Sequence, residues 1–230
     1  MLDQILHPSI DFGIETAFIL IILVALEAVL SADNAIALAS IAQGLKDEKQ
    51  QNYALNIGLL MAYVLRILLI VTATWVIKYW QFSLLGGLYL LWLTYQYFSS
   101  NNDEQEEGAS KLNFKNLWQA IPMIAFTDLA FSLDSVTTAI AVADEIWLII
   151  AGGTIGVIAL RFLAQLFIRW IEEFTHLQDA GFITVGLVGL RLIVKVIYPN
   201  IVPPEWLMIS VIIGMFVWGF SKKNEVQQNP

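Results

Sequence analysis

Apolar runs of roughly 18 residues or more recur along this chain, and runs of that length are the signature of helices that cross a bilayer. Read between charged or Pro/Asn-rich breaks, the sequence predicts seven helices, over residues 12–43, 53–79, 83–99, 116–143, 146–172, 180–197 and 205–221. Composition agrees. Hydrophobic residues make up 58% of the chain and its mean hydropathy is +0.69, whereas soluble domains are about 45–50% apolar. An all-α membrane protein with seven transmembrane helices is therefore expected, as one transmembrane domain over residues 1–230 with no room for a sizeable soluble one. Met1 to Glu15 contains no Lys or Arg, so a removable signal peptide is not expected.

Two of these runs carry the same acidic pattern. Glu27-Ala-Val-Leu-Ser31-Ala-Asp33-Asn34 is matched by Asp128-Leu-Ala-Phe-Ser132-Leu-Asp134-Ser135. A carboxylate at mid-bilayer costs at least ~3 kcal/mol, so four of them in two copies call for a purpose beyond helix packing. On a regular helix, Glu27, Ser31 and Asn34 share one face, and Asp128, Ser132 and Ser135 form the counterpart. Asp33 and Asp134 point away from those stripes unless the helix breaks. Either the helices unwind at the motifs and free carbonyls for coordination, or these two aspartates serve a separate role with the arginines. Unwinding is the favoured expectation, since broken helices hold the midplane sites of transporters and short polar side chains compete for backbone hydrogen bonds.

The repetition extends beyond the acids. An Arg follows a Gly by eight residues in the second helix of each half, Gly58 to Arg66 and Gly153 to Arg161, and Gly87-Leu-Tyr-Leu-Leu matches Gly189-Leu-Arg-Leu-Ile. Repeat one is read as 12–99 and repeat two as 116–197. Residues 100–115 form an acidic linker, and the seventh helix, 205–221, stands outside the repeat. Three spans per half is an odd number, so the halves should insert in opposite orientations and bring helices one and four together from opposite sides. Lys46, Lys49, Lys111, Lys115, Lys222 and Lys223, with Arg169, fall on one side, against Lys78 and Lys195 on the other. The N-terminus is then expected outside and the C-terminus in the cytoplasm. Trp80, Trp92, Trp118, Trp147, Trp170 and Trp206 are expected near helix ends, as interfacial aromatics.

The ligand chemistry is restricted. There are no cysteines, and His7 and His176 fall in predicted loops, so an ion inside the membrane must be held by oxygen, which selects Mg, Ca or Mn. Glu27, Asp33, Asp128 and Asp134, opposed by Arg66 and Arg161, leave an excess of two negative charges. One divalent cation or two protons would neutralise it, which is the requirement for cation/proton exchange. Arg66 and Arg161 are read as charge-balancing or gating residues, with a structural ion pair to Asp33 or Asp134 as the alternative. Gln165 is expected to be an interhelical hydrogen bonder, Met61 and Met123 to be packing residues, and the glycines to permit close helix contact. The net charge of -8 argues against nucleic-acid binding.

Glu27-x5-Asp33-Asn34, together with Phe126-Thr-Asp128-Leu-Ala-Phe-Ser-Leu-Asp134-Ser135, Gly86-Gly-Leu-Tyr-Leu-Leu91 and Arg161, resembles the TerC family of integral membrane proteins. The resemblance covers roughly residues 12 to 220 and implies a transporter of the wider group that includes the LysE exporters. It is the resemblance that implies Mn2+ as the exported ion, where the ligand chemistry leaves Mn2+ and Ca2+ open. The family name refers to tellurium resistance, and relatives linked to thylakoid biogenesis keep a membrane-assembly or protein-metalation role open. A Ca2+ or amino-acid exporter of the same fold is a further alternative. An intramembrane aspartyl protease is disfavoured, since that chemistry needs one close aspartate pair and here four acids lie in two motifs with arginines. No enzymatic activity and no cofactor are expected. The implied partners are a divalent metal ion, protons and the lipid bilayer, in a bacterial inner (plasma) or thylakoid membrane.

Overall fold

The computed structural model describes residues 14–99, 112, 114, 116–143, 145–198, 201 and 203–224, without the side chains of residues 14, 15, 26, 28–33 and 205. Among the described residues there are seven helices. They are α1 (Ile14–Gln43), α2 (Glu48–Val76), α3 (Trp80–Ser99), α4 (Leu117–Val142), α5 (Ile146–Glu173), α6 (Leu177–Ile197) and α7 (Glu205–Gly219). Four of them, α2, α4, α5 and α6, are long and apolar enough to cross a membrane. The acidic linker falls almost wholly outside the described residues.

The seven predicted segments correspond to the seven helices, with ends displaced by a few residues. The largest shift is at α2, which starts at Glu48. Asp47 caps it by accepting the Lys49 N–H at 3.3 Å, and the buried Gln51 donates to the Leu45 carbonyl at 2.8 Å. A capped polar first turn thus replaces the predicted loop. Trp80, Trp118, Trp147, Trp170 and Trp206 lie in or near terminal turns, whereas Trp92 sits midway along α3.

Neither acidic motif breaks its helix. α1 is continuous across 27–34 and α4 across 128–135, contrary to the expected unwinding. The hydroxyls explain why in α4: Ser132 donates to the Asp128 carbonyl at 2.8 Å, and Thr138 to that of Asp134 at 3.1 Å. Each bonds back four residues along its own helix rather than replacing a helical bond.

Helices in lipid gain little from hydrophobic burial against one another, so small residues that allow close approach carry much of the packing. The most extensive pairings are α1 with α5, α2 with α4 and α3 with α6. Glycine sits at each. A Cβ on Gly152 of α5 would lie 3.1 Å from Leu23 of α1, one on Gly58 of α2 would lie 2.6 Å from Ile124 of α4, and one on Gly87 of α3 would lie 2.8 Å from the Gly189 carbonyl of α6. Contacts also gather several helix ends. Gln43 donates to the Ile168 carbonyl at 2.7 Å, Phe114 N–H to the Gly44 carbonyl at 2.8 Å, Tyr97 to Asp179 at 2.6 Å and Asn224 N–H to the Glu173 carbonyl at 2.8 Å. The turns near 44, 114, 175 and 222 therefore share one end of the bundle. Large apolar side chains remain on the outside, among them Phe18, Leu68, Leu85, Phe162 and Val217, as a lipid-facing surface requires.

Candidate functional site

The two motifs meet through one arginine. Arg66, from the middle of α2, is 2% exposed. Its Nη1 pairs with Oε1 of Glu27 in α1, and its Nη2 lies 3.2 Å from both carboxylate oxygens of Asp128 in α4. Asp128 is fully buried, and the Glu27 side chain is 13% exposed. A guanidinium in an apolar interior is tolerable only when its charge is compensated, and its planar fork suits two acids at once. Ser132 supports the cluster, with its Oγ 3.4 Å from Oδ2 of Asp128. Nearby, Tyr89 of α3 bonds Thr127 at 3.0 Å and donates to the Met123 carbonyl at 3.2 Å, fixing α4 beside the aspartate.

Glycine shapes the other wall. A Cβ on Gly156 of α5 would run into the Glu27 side chain, 3.0 Å from its Cδ and 3.1 Å from Oε1, so the absence of a side chain there is what admits the glutamate. A cleft of about 20 Å³ adjoins the cluster, lined by Glu27, Arg66, Ser135, Gly152 and Gly153 among apolar neighbours. That space suits a single water-sized occupant. Its side-chain oxygens are a carboxylate and a hydroxyl, and the Arg66 guanidinium lines the same space.

The remaining predicted residues fall elsewhere. Asp134 does not join Glu27 and Asp128, and among the described residues no three acidic or histidine side chains form an ion-sized group. Instead Asp134 pairs with Arg191 and, at 2.8 Å, with Nζ of Lys195, both on α6. The continuous helix explains this, because Asp128 and Asp134 are six residues apart and face different directions. Among the described residues Arg161 reaches no carboxylate. Its Nε donates to Asn56 at 2.5 Å, its Nη1 to Gln165 at 3.3 Å and its Nη2 to Asn52 at 3.4 Å, because the α2 face opposite it carries amides. Gln165 thus accepts from its own helix rather than across an interface. Asn34 is buried and Ser135 lines the cleft, while the side chains of Ser31 and Asp33 lie outside the described residues. Met123 packs against the core, and Met61 is exposed.

The charge count changes accordingly. Three described motif acids, Glu27, Asp128 and Asp134, face three cations, Arg66, Arg191 and Lys195. The excess of two negative charges counted from the sequence is therefore absent from the described groups. Arg191 and Lys195 went unassigned because each was read for another purpose, one as part of a repeated Gly motif and the other as a topology marker. Their spacing of four, which puts two cations on one face of an apolar helix, was the available signal.

Residues 12–226 match the Integral membrane protein TerC family. The chain belongs to that family. This TerC-family chain is 34% identical over 198 residues to the membrane protein YceF of Bacillus subtilis (strain 168), covering 84% of this chain and 75% of that protein. It is 30% identical over 196 residues to the membrane protein YkoY of the same organism, covering 78% of this chain and 60% of YkoY. The inner membrane protein YgdQ of Escherichia coli (strain K12) is 30% identical over 185 residues, covering 74% and 77% of the two chains. No solved structure matches. Family and apolar helices together make this an integral, multi-pass membrane protein.

Proposed function

We propose that this TerC-family protein is a secondary transporter that exports a divalent metal cation, Mn2+, in exchange for protons. One observation carries the reading: carboxylates from two different membrane helices converge on a single buried arginine beside an ion-sized cleft. Intramembrane acids gathered inside a bundle mark ion and proton pathways.

All seven helices are read as spans, built as two inverted three-helix repeats plus α7. The pairings support this. Exchanging α1 with α4 and α2 with α5 turns the α1–α5 contact into the α4–α2 contact and maps α3–α6 onto itself. Leu23 and Ile124, which receive Gly152 and Gly58, sit four residues before Glu27 and Asp128 in their respective motifs. The end bearing the turns near 44, 114, 175 and 222 is read as cytoplasmic, on the excess of lysines there. The inner membrane assignment of YgdQ is extended to this chain.

In the proposed cycle Arg66 acts as a tethered counter-cation. Glu27 and Asp128 carry two negative charges against its one, so the cluster is left with one negative charge, and an entering Mn2+ and protons compete for the same oxygens. Ser132, Ser135, Ser31 and Asn34 supply the neutral oxygens. Asp134, held by Arg191 and Lys195, positions α4 against α6. The test is Mn2+-stimulated proton flux in proteoliposomes. Asp128→Asn should abolish it, while Glu106→Gln, a change in the acidic linker, should leave it intact. Equal flux from native and Asp128→Asn protein would reject the site. Manganese movement without counter-movement of protons would reject exchange and keep the site.

A further inference from the structure

Arg161 offers a positive charge that no described carboxylate balances, and it does so at the head of an apolar groove between α2 and α5. The groove encloses about 430 Å³ and is lined by Arg161, Asn56 and Tyr63 together with Leu60, Ile158 and Phe162. That volume is within the roughly 300–1,000 Å³ of ligand pockets. Leu60, Ile158 and Phe162 are 59%, 54% and 69% exposed, so the groove opens outward, toward lipid in a membrane-embedded bundle. At its inner end Tyr63 bonds Thr154 at 2.9 Å.

The depth of the charge decides what fits. α2 has 29 residues, hence about 43 Å of length, close to the ~40–45 Å of a bilayer with its headgroups. Asn52 and Asn56, which hold the guanidinium, lie four and eight residues from the start of α2, roughly 6 and 12 Å from its end. The Arg161 side chain therefore brings its charge to the boundary between headgroups and hydrocarbon, with amides beside it and apolar side chains beyond. Nearer the helix end, Lys46 and Lys49 are offset by Asp47 and Glu48, which leaves Arg161 as the cation of the groove.

We infer that this groove binds one anionic phospholipid, its phosphate on Arg161 and an acyl chain along Leu60, Ile158 and Phe162. Phosphate satisfies a guanidinium with geometry that the three amide oxygens do not offer. The apolar lining selects a lipid over free phosphate. This inference stands apart from the metal reading, because the groove and the cleft beside Glu27 share no lining residue.

Native mass spectrometry of the detergent-purified protein, titrated with phosphatidylglycerol, phosphatidylcholine or inorganic phosphate, tests it. The wild type should retain one phosphatidylglycerol. Arg161→Gln should bind it about tenfold more weakly, the value of one charge-assisted hydrogen bond. Phosphatidylcholine, whose headgroup carries its own cation, should bind more weakly to the wild type and change little in the variant. Ile158→Trp, which fills the groove and keeps Arg161, should also lose the lipid, and it decides the matter if Arg161→Gln fails to fold. Undiminished phosphatidylglycerol binding by either folded variant would overturn the inference. So would inorganic phosphate competing fully with the lipid.

Discussion

Replacing Arg66 with methionine tests whether the central cluster holds the bundle together. Methionine keeps the apolar stem of arginine and ends where the guanidinium begins, so the stem's packing is largely kept while Glu27 and Asp128 lose their shared cation. Asp128 is fully buried and Arg66 is 2% exposed, so the pair is screened from bulk water. Removing one partner of a buried ion pair costs about 3–5 kcal/mol. For a chain of this size each kcal/mol moves the melting temperature by about 2–4 °C, giving a fall of about 6–20 °C. Thermal unfolding in detergent, followed by circular dichroism, measures it. The combined variant Glu27→Gln, Arg66→Met, Asp128→Asn should recover most of the loss, since no charge is then left unpaired. A melting temperature for Arg66→Met within about 2 °C of wild type would refute the reasoning. A triple variant no more stable than Arg66→Met would refute it too.

Asp134→Asn should destabilise the protein by about 3 kcal/mol in the same assay, because the buried ion pair between Asp134 and Arg191 is lost. Lys195→Ala should cost under about 1 kcal/mol, since Lys195 is 36% exposed; equal losses from the two changes would contradict this division. Gly156→Val forces a side chain into Glu27 and should cost about 1–3 kcal/mol. Under the proposed function it should also lower Mn2+ flux, and a variant with wild-type stability and flux would show that the α1–α5 approach is looser than the structure has it.

The helices were legible because apolar run length is a strong signal where lipid is the solvent. Their ends were less so. Polar residues at 48–51 and at 178 and 179 read as loop, yet Asp47 caps the first, and Tyr97 holds Asp179 in the second. Of the repeated glycines, Gly58, Gly87 and Gly189 sit where a Cβ would crowd a neighbouring helix, whereas a Cβ on Gly153 would lie at an ordinary 3.7 Å from Arg66 and its neighbour Gly152 makes the close approach to Leu23. Unwinding at the motifs was the wrong expectation. Polarity signals that a helix can break, but serine and threonine hydroxyls can instead return to carbonyls four residues back, as Ser132 and Thr138 do.

Partners among the charges were harder to read, for a geometric reason. Spacing along one helix fixes relative directions: Asp128 and Asp134 diverge once α4 stays regular, and they do. It does not fix how far each helix is rotated or how closely it approaches its neighbour. Those depend on interhelical contacts such as Gly156 against Glu27, which no single-helix pattern contains. Gly58 to Arg66 and Gly153 to Arg161 have the same spacing, so the sequence treats the two arginines alike. The structure does not. Arg66 faces two acids, while Arg161 faces Asn52, Asn56 and Gln165. What the matching sequence segments share lies in small residues such as Gly58, Gly87 and Gly189, where a Cβ would crowd a neighbouring helix. Charged residues at matching positions answer to whatever stands opposite them, and that differs between the halves: Tyr89, the counterpart of Arg191, bonds a threonine rather than an acid. Of the four acids that the repeated motif singled out, Glu27 and Asp128 meet, and only the packing of α2 against both α1 and α4 could select Arg66 as their common partner.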